Sequence, residues 1–143
     1  TVLADAAGSD DAVTDGKHSA RDDYTVSAPV LTVSKLSRVI SDPINGVSAN
    51  AKAIPGAVVE YCIVVANAGA GAAADSVIIT DSLPTQTSYL AAFGVKTGGT
   101  VVTGSTCTPG AGSGSFASPV VTGNLGTVGA GTQQTVVFRV TIL

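Results

Sequence analysis

Few residues in this chain have the type and spacing that bound chemistry needs. Gly69-Ala-Gly71-Ala-Ala-Ala74 follows an apolar run and fits the dinucleotide pattern G-x-G-x-x-A. That pattern works only where a helix follows, because the helix N-terminus holds the pyrophosphate. Here Val77-Ile-Ile-Thr-Asp-Ser-Leu-Pro84 comes next, which leaves no room for a helix, so the glycines are expected to form a turn. His18 is the only histidine and sits in a polar stretch with no G-x-S-x-G elsewhere, so Ser–His catalysis lacks its parts. One His and two distant Cys do not make a closed zinc shell. The carboxylates Asp5, Asp10, Asp11, Asp15, Asp22 and Asp23 offer oxygen ligands. Asp11-Ala-Val-Thr-Asp15-Gly16, however, lacks the middle carboxylate and the closing Glu of a calcium loop. Calcium at an interface is therefore kept only as a minor alternative to a solvated acidic segment. Asp81 is expected to cap the turn before Pro84. The residues predict a non-enzyme with no cofactor and no catalytic or metal site.

The remaining reactive pair is Cys62 and Cys107. Joined, they close a loop of about 46 residues, which chain-entropy arithmetic values at about 4 kcal/mol. The disulfide is expected if the chain lives outside the cytoplasm, the alternative being two buried thiols. Thr1 in place of an initiator Met is what removal of a secretion signal would leave, and the expected location is secreted, extracellular or at the cell surface.

The elements that must position these residues are strands. Charged residues make up 12% of the 143, and the net charge is −3 with seven Lys and Arg. No basic cluster is present to neutralise phosphates, which argues against nucleic-acid binding. Val and Thr are abundant, but no apolar run reaches the ~18 residues of a membrane helix. Residues 1–28 form an N-terminal arm: acidic and polar to Asp23, then extended through Tyr24, Val26 and Ala28. Tyr24 to Lys35 alternates apolar and polar residues, and the phase shifts at Pro29, which marks an edge, a bulge or a crossing between sheets. Residues 37–54 read as a long loop with Asp42-Pro43 and Asn45-Gly46 as turn signals. Ala57–Ala66 is the clearest strand. Its core face is expected to carry Val59, Tyr61, Ile63 and Val65, because the face with Val58, Glu60, Cys62 and Val64 would bury a carboxylate. Cys62 then points away from the core, and its bridge to Cys107 would pin a loop over the outer sheet. Shorter strands are expected over 76–80, 88–93, 99–103 and 120–125, with a loop over 104–119. The last strand is placed at Gln134–Ile142, with Val136, Phe138, Val140 and Ile142 on one face. The prediction is an all-β, two-sheet sandwich of about seven strands over 29–143, with no helix longer than a turn or two.

Leu31-Thr-Val-Ser-Lys35, Pro55-Gly56, Asn67-Ala-Gly69, Thr80-Asp81-Ser-Leu-Pro84 and Leu125-Gly-Thr-Val-Gly-Ala-Gly131 occur in an order that resembles the immunoglobulin-like repeat of bacterial and archaeal surface proteins, known as domain of unknown function eleven. The resemblance spans roughly Pro29 to Leu143. It implies an immunoglobulin-like sandwich in a surface protein and brings no catalytic residues. This chain shows one copy preceded by an arm. The expected function is a structural subunit of an extracellular filament or surface assembly. Identical subunits would join head to tail when the arm adds as a strand to a neighbour. The donor residues are Tyr24, Val26, Ala28, Val30, Leu31 and Val33. The alternative is a monomeric adhesin, binding or spacer module presenting loops 37–54 and 104–119.

Overall fold

The computed structural model describes residues 19–69, 71–104 and 106–143. Among these residues it is all-β, with no helix and ten strands, each paired antiparallel. They are β1 (Leu31–Ser41), β2 (Val58–Asn67), β3 (Ala74–Ser82), β4 (Thr87–Tyr89), β5 (Lys96–Thr103), β6 (Thr106–Thr108), β7 (Gly112–Ser113), β8 (Ser115–Ala117), β9 (Val120–Val128) and β10 (Gln133–Ile142). Six are long. The other four are short pieces of two or three residues that extend or join the sheets.

The large sheet runs β1-β2-β10-β5-β6, with β4 also on β10 and β7 also on β5. The small sheet runs β3-β9-β8. They pack face to face as a sandwich, with Val59, Ile63 and Val65 of β2, Val136, Phe138 and Val140 of β10, and Val121, Leu125 and Val128 of β9 at the core. The period-two alternation of β2 and β10 puts these residues on one face. Gly123 sets the closest approach, since a Cβ there would stand 2.5 Å from Val136 Cγ2.

The two long sides of the sandwich differ. On one side the chain steps from β7, paired to β5, into β8, paired to β9, so one continuous segment joins the sheets. Gly114 makes that step, and its N–H donates to the Val95 carbonyl. On the opposite side, the edge strands β1 and β3 each pair with one strand only, and no strand lies between them among the described residues.

A second apolar cluster covers the outer face of the large sheet. Cys62 and Val64 of β2 and Val137 of β10 pack there with Cys107, Leu36, Phe93 and Val101. The β5–β6 hairpin folds over this face, and the Cys62–Cys107 disulfide fastens it. The bridge thus pins the hairpin outside the main core, as the pattern of β2 predicts.

Several boundaries differ from the sequence expectation. Residues 37–41 are not loop but the lower half of β1, in register from Ser37↔Tyr61 to Ser41↔Val58. Ladder bonds to β2 hold them extended, an effect no local pattern carries. The alternating stretch before Pro29 is not strand, because residues 22–28 join no ladder among the described residues. Residues 104–119 are not one loop but contain β6, β7 and β8. The strand expected over 88–93 is only β4, with turns after it. The largest correction concerns Glu60. It was assigned to an exposed outer face, yet it is 2% exposed, because two guanidiniums and the hairpin cover it.

Gly123→Ala should lower stability by about 1–3 kcal/mol through overpacking against Val136, measured as the urea unfolding midpoint. Unchanged stability would mean the sheets can separate there at no cost.

Candidate functional site

Two poles organise the molecule. β1 and β3 both run from one pole to the other, because each is antiparallel to a strand running the opposite way. The first pole holds the β2–β3 turn, the β9–β10 turn and the start of β1. The second holds the 42–57 loop, Pro84–Gln86, Pro119 and Leu143.

Asn67 holds the first pole together. Its side chain is buried, and Oδ1 accepts from the Val30 N–H at 3.0 Å and the Gly69 N–H at 3.1 Å. Its Nδ2 donates to the Ala72 carbonyl at 2.8 Å and the Val128 carbonyl at 3.2 Å. All four amide valences are used. The backbone adds to this: the Asn67 N–H donates to the Thr132 carbonyl, and the Gly131 N–H donates to the Asn67 carbonyl. One residue therefore fixes both turns and the entry of β1. Gly69 and Gly71 belong to this turn, which leads into β3, as expected, with no helix after it.

The arm leaves from this pole. The Ala68 N–H donates to the Val30 carbonyl, and the missing Cβ of Gly69 leaves room for Ala28 and Val30 to pass. Ser27 still lies against Gly71, and before it the side chains reach solvent: Tyr24 is 86% and Val26 92% exposed. The structure divides the six donor residues of the sequence reading. Leu31 and Val33 lie in β1, opposite Asn67 and Val65 of the same chain, and Val30 is tied to Asn67. Tyr24 and Val26 lie exposed in the segment before the pole, and Ala28 passes beside Gly69. Of the six carboxylates considered for calcium, Asp5, Asp10, Asp11 and Asp15 lie outside the described residues, as does His18. No group of three metal-ligating side chains occurs among the described ones.

The open side forms a seam. Leu31, Val33, Lys35 and Val39 share the inner face of β1, but the small sheet does not reach over the first two, and Val33 is 60% exposed. Lys35 spans the gap to Asp81 of β3, Nζ to Oδ2 2.5 Å, with its ammonium 4.4 Å from the Tyr61 ring centroid. Asp81 is thus an ion-pair partner across the seam. Towards the second pole the seam opens into a cleft of about 460 Å³ lined by Val39, Val59, Tyr61, Pro84 and Ile142. A separate cleft of about 790 Å³ lies on the closed side of the same pole. There Tyr89 and Phe116 stack at 4.2 Å beside Leu83 and Pro119. Burial pushes the Tyr89 phenol above its ordinary value. No local pattern announces this aromatic pair, since the two residues are far apart in the chain and meet only through β4 and β8.

Asp42 shapes the second pole. It accepts from the Asn45 amide Nδ2 at 3.0 Å and from the backbone N–H groups of Asn45, Lys52 and Ile44 at 2.6, 2.6 and 2.7 Å. These donors, led by the Asn45 side chain and backbone, hold its carboxyl well below the usual carboxylate range. The loop they order presents Ile44 and Val47 to solvent. The Asp-Pro-Ile-Asn-Gly turn signal was legible in sequence. Its reach to Lys52 was not.

Glu60 sits on the outer face between Arg38 of β1 and Arg139 of β10, its register partners. Arg38 approaches Oε1 at 2.7 and 2.8 Å, and Arg139 approaches Oε2 at 2.8 and 2.9 Å. The Arg139 guanidinium lies 4.1 Å from the Phe93 ring centroid. The carboxylate is thereby compensated where water is excluded.

The fold and site together define a disulfide-bonded β-sandwich that is closed along one side, open along the other and preceded by a projecting arm. A disulfide of this kind indicates an oxidising, non-cytoplasmic compartment. No helix among the described residues is long and apolar enough to cross a membrane. No family model matches the chain, and no curated protein or solved structure matches it.

Two outcomes follow. Glu60→Gln should cost about 3 kcal/mol in chemical unfolding, because it leaves two guanidiniums facing a neutral amide. Replacing the whole triad (Arg38→Met, Glu60→Leu, Arg139→Met) should recover most of that loss, and a triple variant weaker than the single one would refute the charge argument. Asp42→Asn should destabilise the protein at neutral pH. Because the folded carboxyl titrates below the unfolded one, the Asp42 contribution is complete above about pH 5 and fades as pH falls towards 2. The gap between the two proteins in unfolding midpoint should close over that range, and a gap constant with pH would contradict the assignment.

Proposed function

We propose that this protein is a structural subunit of an extracellular filament or surface assembly, secreted and non-enzymatic, in which identical copies join head to tail through the N-terminal arm. The observation that carries the reading is the arm itself. Tyr24 and Val26 project almost fully exposed from a pole that Asn67 and Gly69 shape around its exit. An exposed apolar, alternating segment that joins no ladder among the described residues is what strand addition to a neighbour uses. A contact between an arm and a different surface is heterologous, and unless the rotation closes it generates fibres. The resemblance to immunoglobulin-like surface repeats agrees with an extracellular setting. The low charge and the disulfide over the outer face suit a durable polymer.

The second reading is a surface binding module, and the stacked Tyr89–Phe116 cleft is the observation that favours it. The cleft has threonine and serine hydroxyls at its rim, which suits a small polar ligand with an apolar face. It leaves the arm without a role.

Deletion of residues 1–28 separates the two. The shortened protein should remain folded, with an unfolding midpoint close to that of the full chain, and should fail to form filaments in negative-stain electron microscopy of native material. Filaments unchanged by the deletion would sink the arm-mediated reading.

A further inference from the structure

We propose that the acceptor for the arm is the open seam of a second copy of this chain, where the segment around Tyr24–Ala28 adds as a strand to the free edge of β3. This rests on the filament reading above and adds where the arm goes. Two edges border the seam, and the uncovered apolar surface chooses between them. Leu31 and Val33 stand exposed on the inner face of β1 because the small sheet stops at β3. A strand added to β1 would widen the large sheet and leave them bare. A strand added to β3 widens the small sheet and lies over them.

The arm has the matching pattern. Tyr24, Val26 and Ala28 fall on one face at period two, with Thr25 and Ser27 on the other. The apolar face would meet β1, and the hydroxyl face would continue the exposed outer side of β3, where Ile78, Thr80 and Ser82 point to solvent.

The poles fix the strand direction. The arm leaves a donor at its first pole, so the acceptor stacked beyond it offers its second pole, where the seam widens into the 460 Å³ cleft. The arm enters there with its N-terminal end deepest. It therefore runs in the same sense as β3, and the new pairing is parallel.

Cysteine pairing in assembled material tests this. Thr25→Cys is combined in turn with Ile78→Cys, Thr80→Cys or, as a control on the outer face of β1, Ser34→Cys. All four positions are exposed, and the native disulfide is buried. Mild oxidation of filaments should give a ladder of covalent dimers, trimers and longer species with the β3 positions and none with Ser34→Cys. Filaments that form but cross-link at neither β3 position, or equally with the control, overturn the seam as acceptor while leaving the polymer reading intact. Cross-links confined within single chains overturn it in favour of an arm that folds back. Absence of filaments from the unaltered protein removes the polymer reading and this inference with it.

Discussion

β2 is covered on both faces, and most of the architecture answers to that constraint. Its inner face carries Val59, Ile63 and Val65 into the main core. Its outer face carries Glu60, Cys62 and Val64, none of which an open sheet could leave in that state. A strand buried on both sides must satisfy a carboxylate without water, and the flanking strands supply the means. Arg38 and Arg139 sit at the register positions next to Glu60, so the pairing that builds the sheet also delivers the compensating charge. Cys62 delivers the hairpin cover. The outer face becomes a second small core, and the large sheet is held rigid from behind.

That rigidity lets the sandwich stay open on one side. The β7–β8 step ties the sheets together along the closed side, while Lys35–Asp81 is the polar link described across the other. An exposed ion pair of this kind contributes little stability, about 0–1 kcal/mol. The open side is thus held mainly by the shared core and the backing of the large sheet, and Leu31 and Val33 remain uncovered there. Asn67 performs the complementary task at the pole. It spends every hydrogen bond of its amide on main-chain groups, and so sets the place where the arm departs. Seam and arm are two ends of one arrangement. The polymer reading gains from this, because each end lacks a partner that the other could provide.

Much of the framework was legible in sequence because it rests on local pattern. The period-two faces of β2 and β10, the glycine turns at 69–71 and 129–131, the absence of helix and the outward direction of Cys62 each follow from side-chain alternation or turn chemistry within a few residues. The Cys62–Cys107 pairing was legible for a simpler reason, since there were only two cysteines to pair.

Tertiary structure decided what depends on partners far along the chain. Whether Ser37–Ser41 is strand or loop turns on ladder bonds to β2. Whether Glu60 is exposed turns on two arginines, one from an earlier and one from a later strand. The Tyr89–Phe116 stack and the Lys35–Asp81 link exist only once the sheets face each other. The division of the alternating stretch 24–35 into a free arm and an edge strand has the same origin. Its pattern is suitable for pairing throughout, but among the described residues only those from Leu31 onward pair as a strand in their own chain. Alternation along a sequence specifies which face of a strand is apolar. Which surface covers that face is a property of packing, and no surface of the described residues covers Tyr24 or Val26.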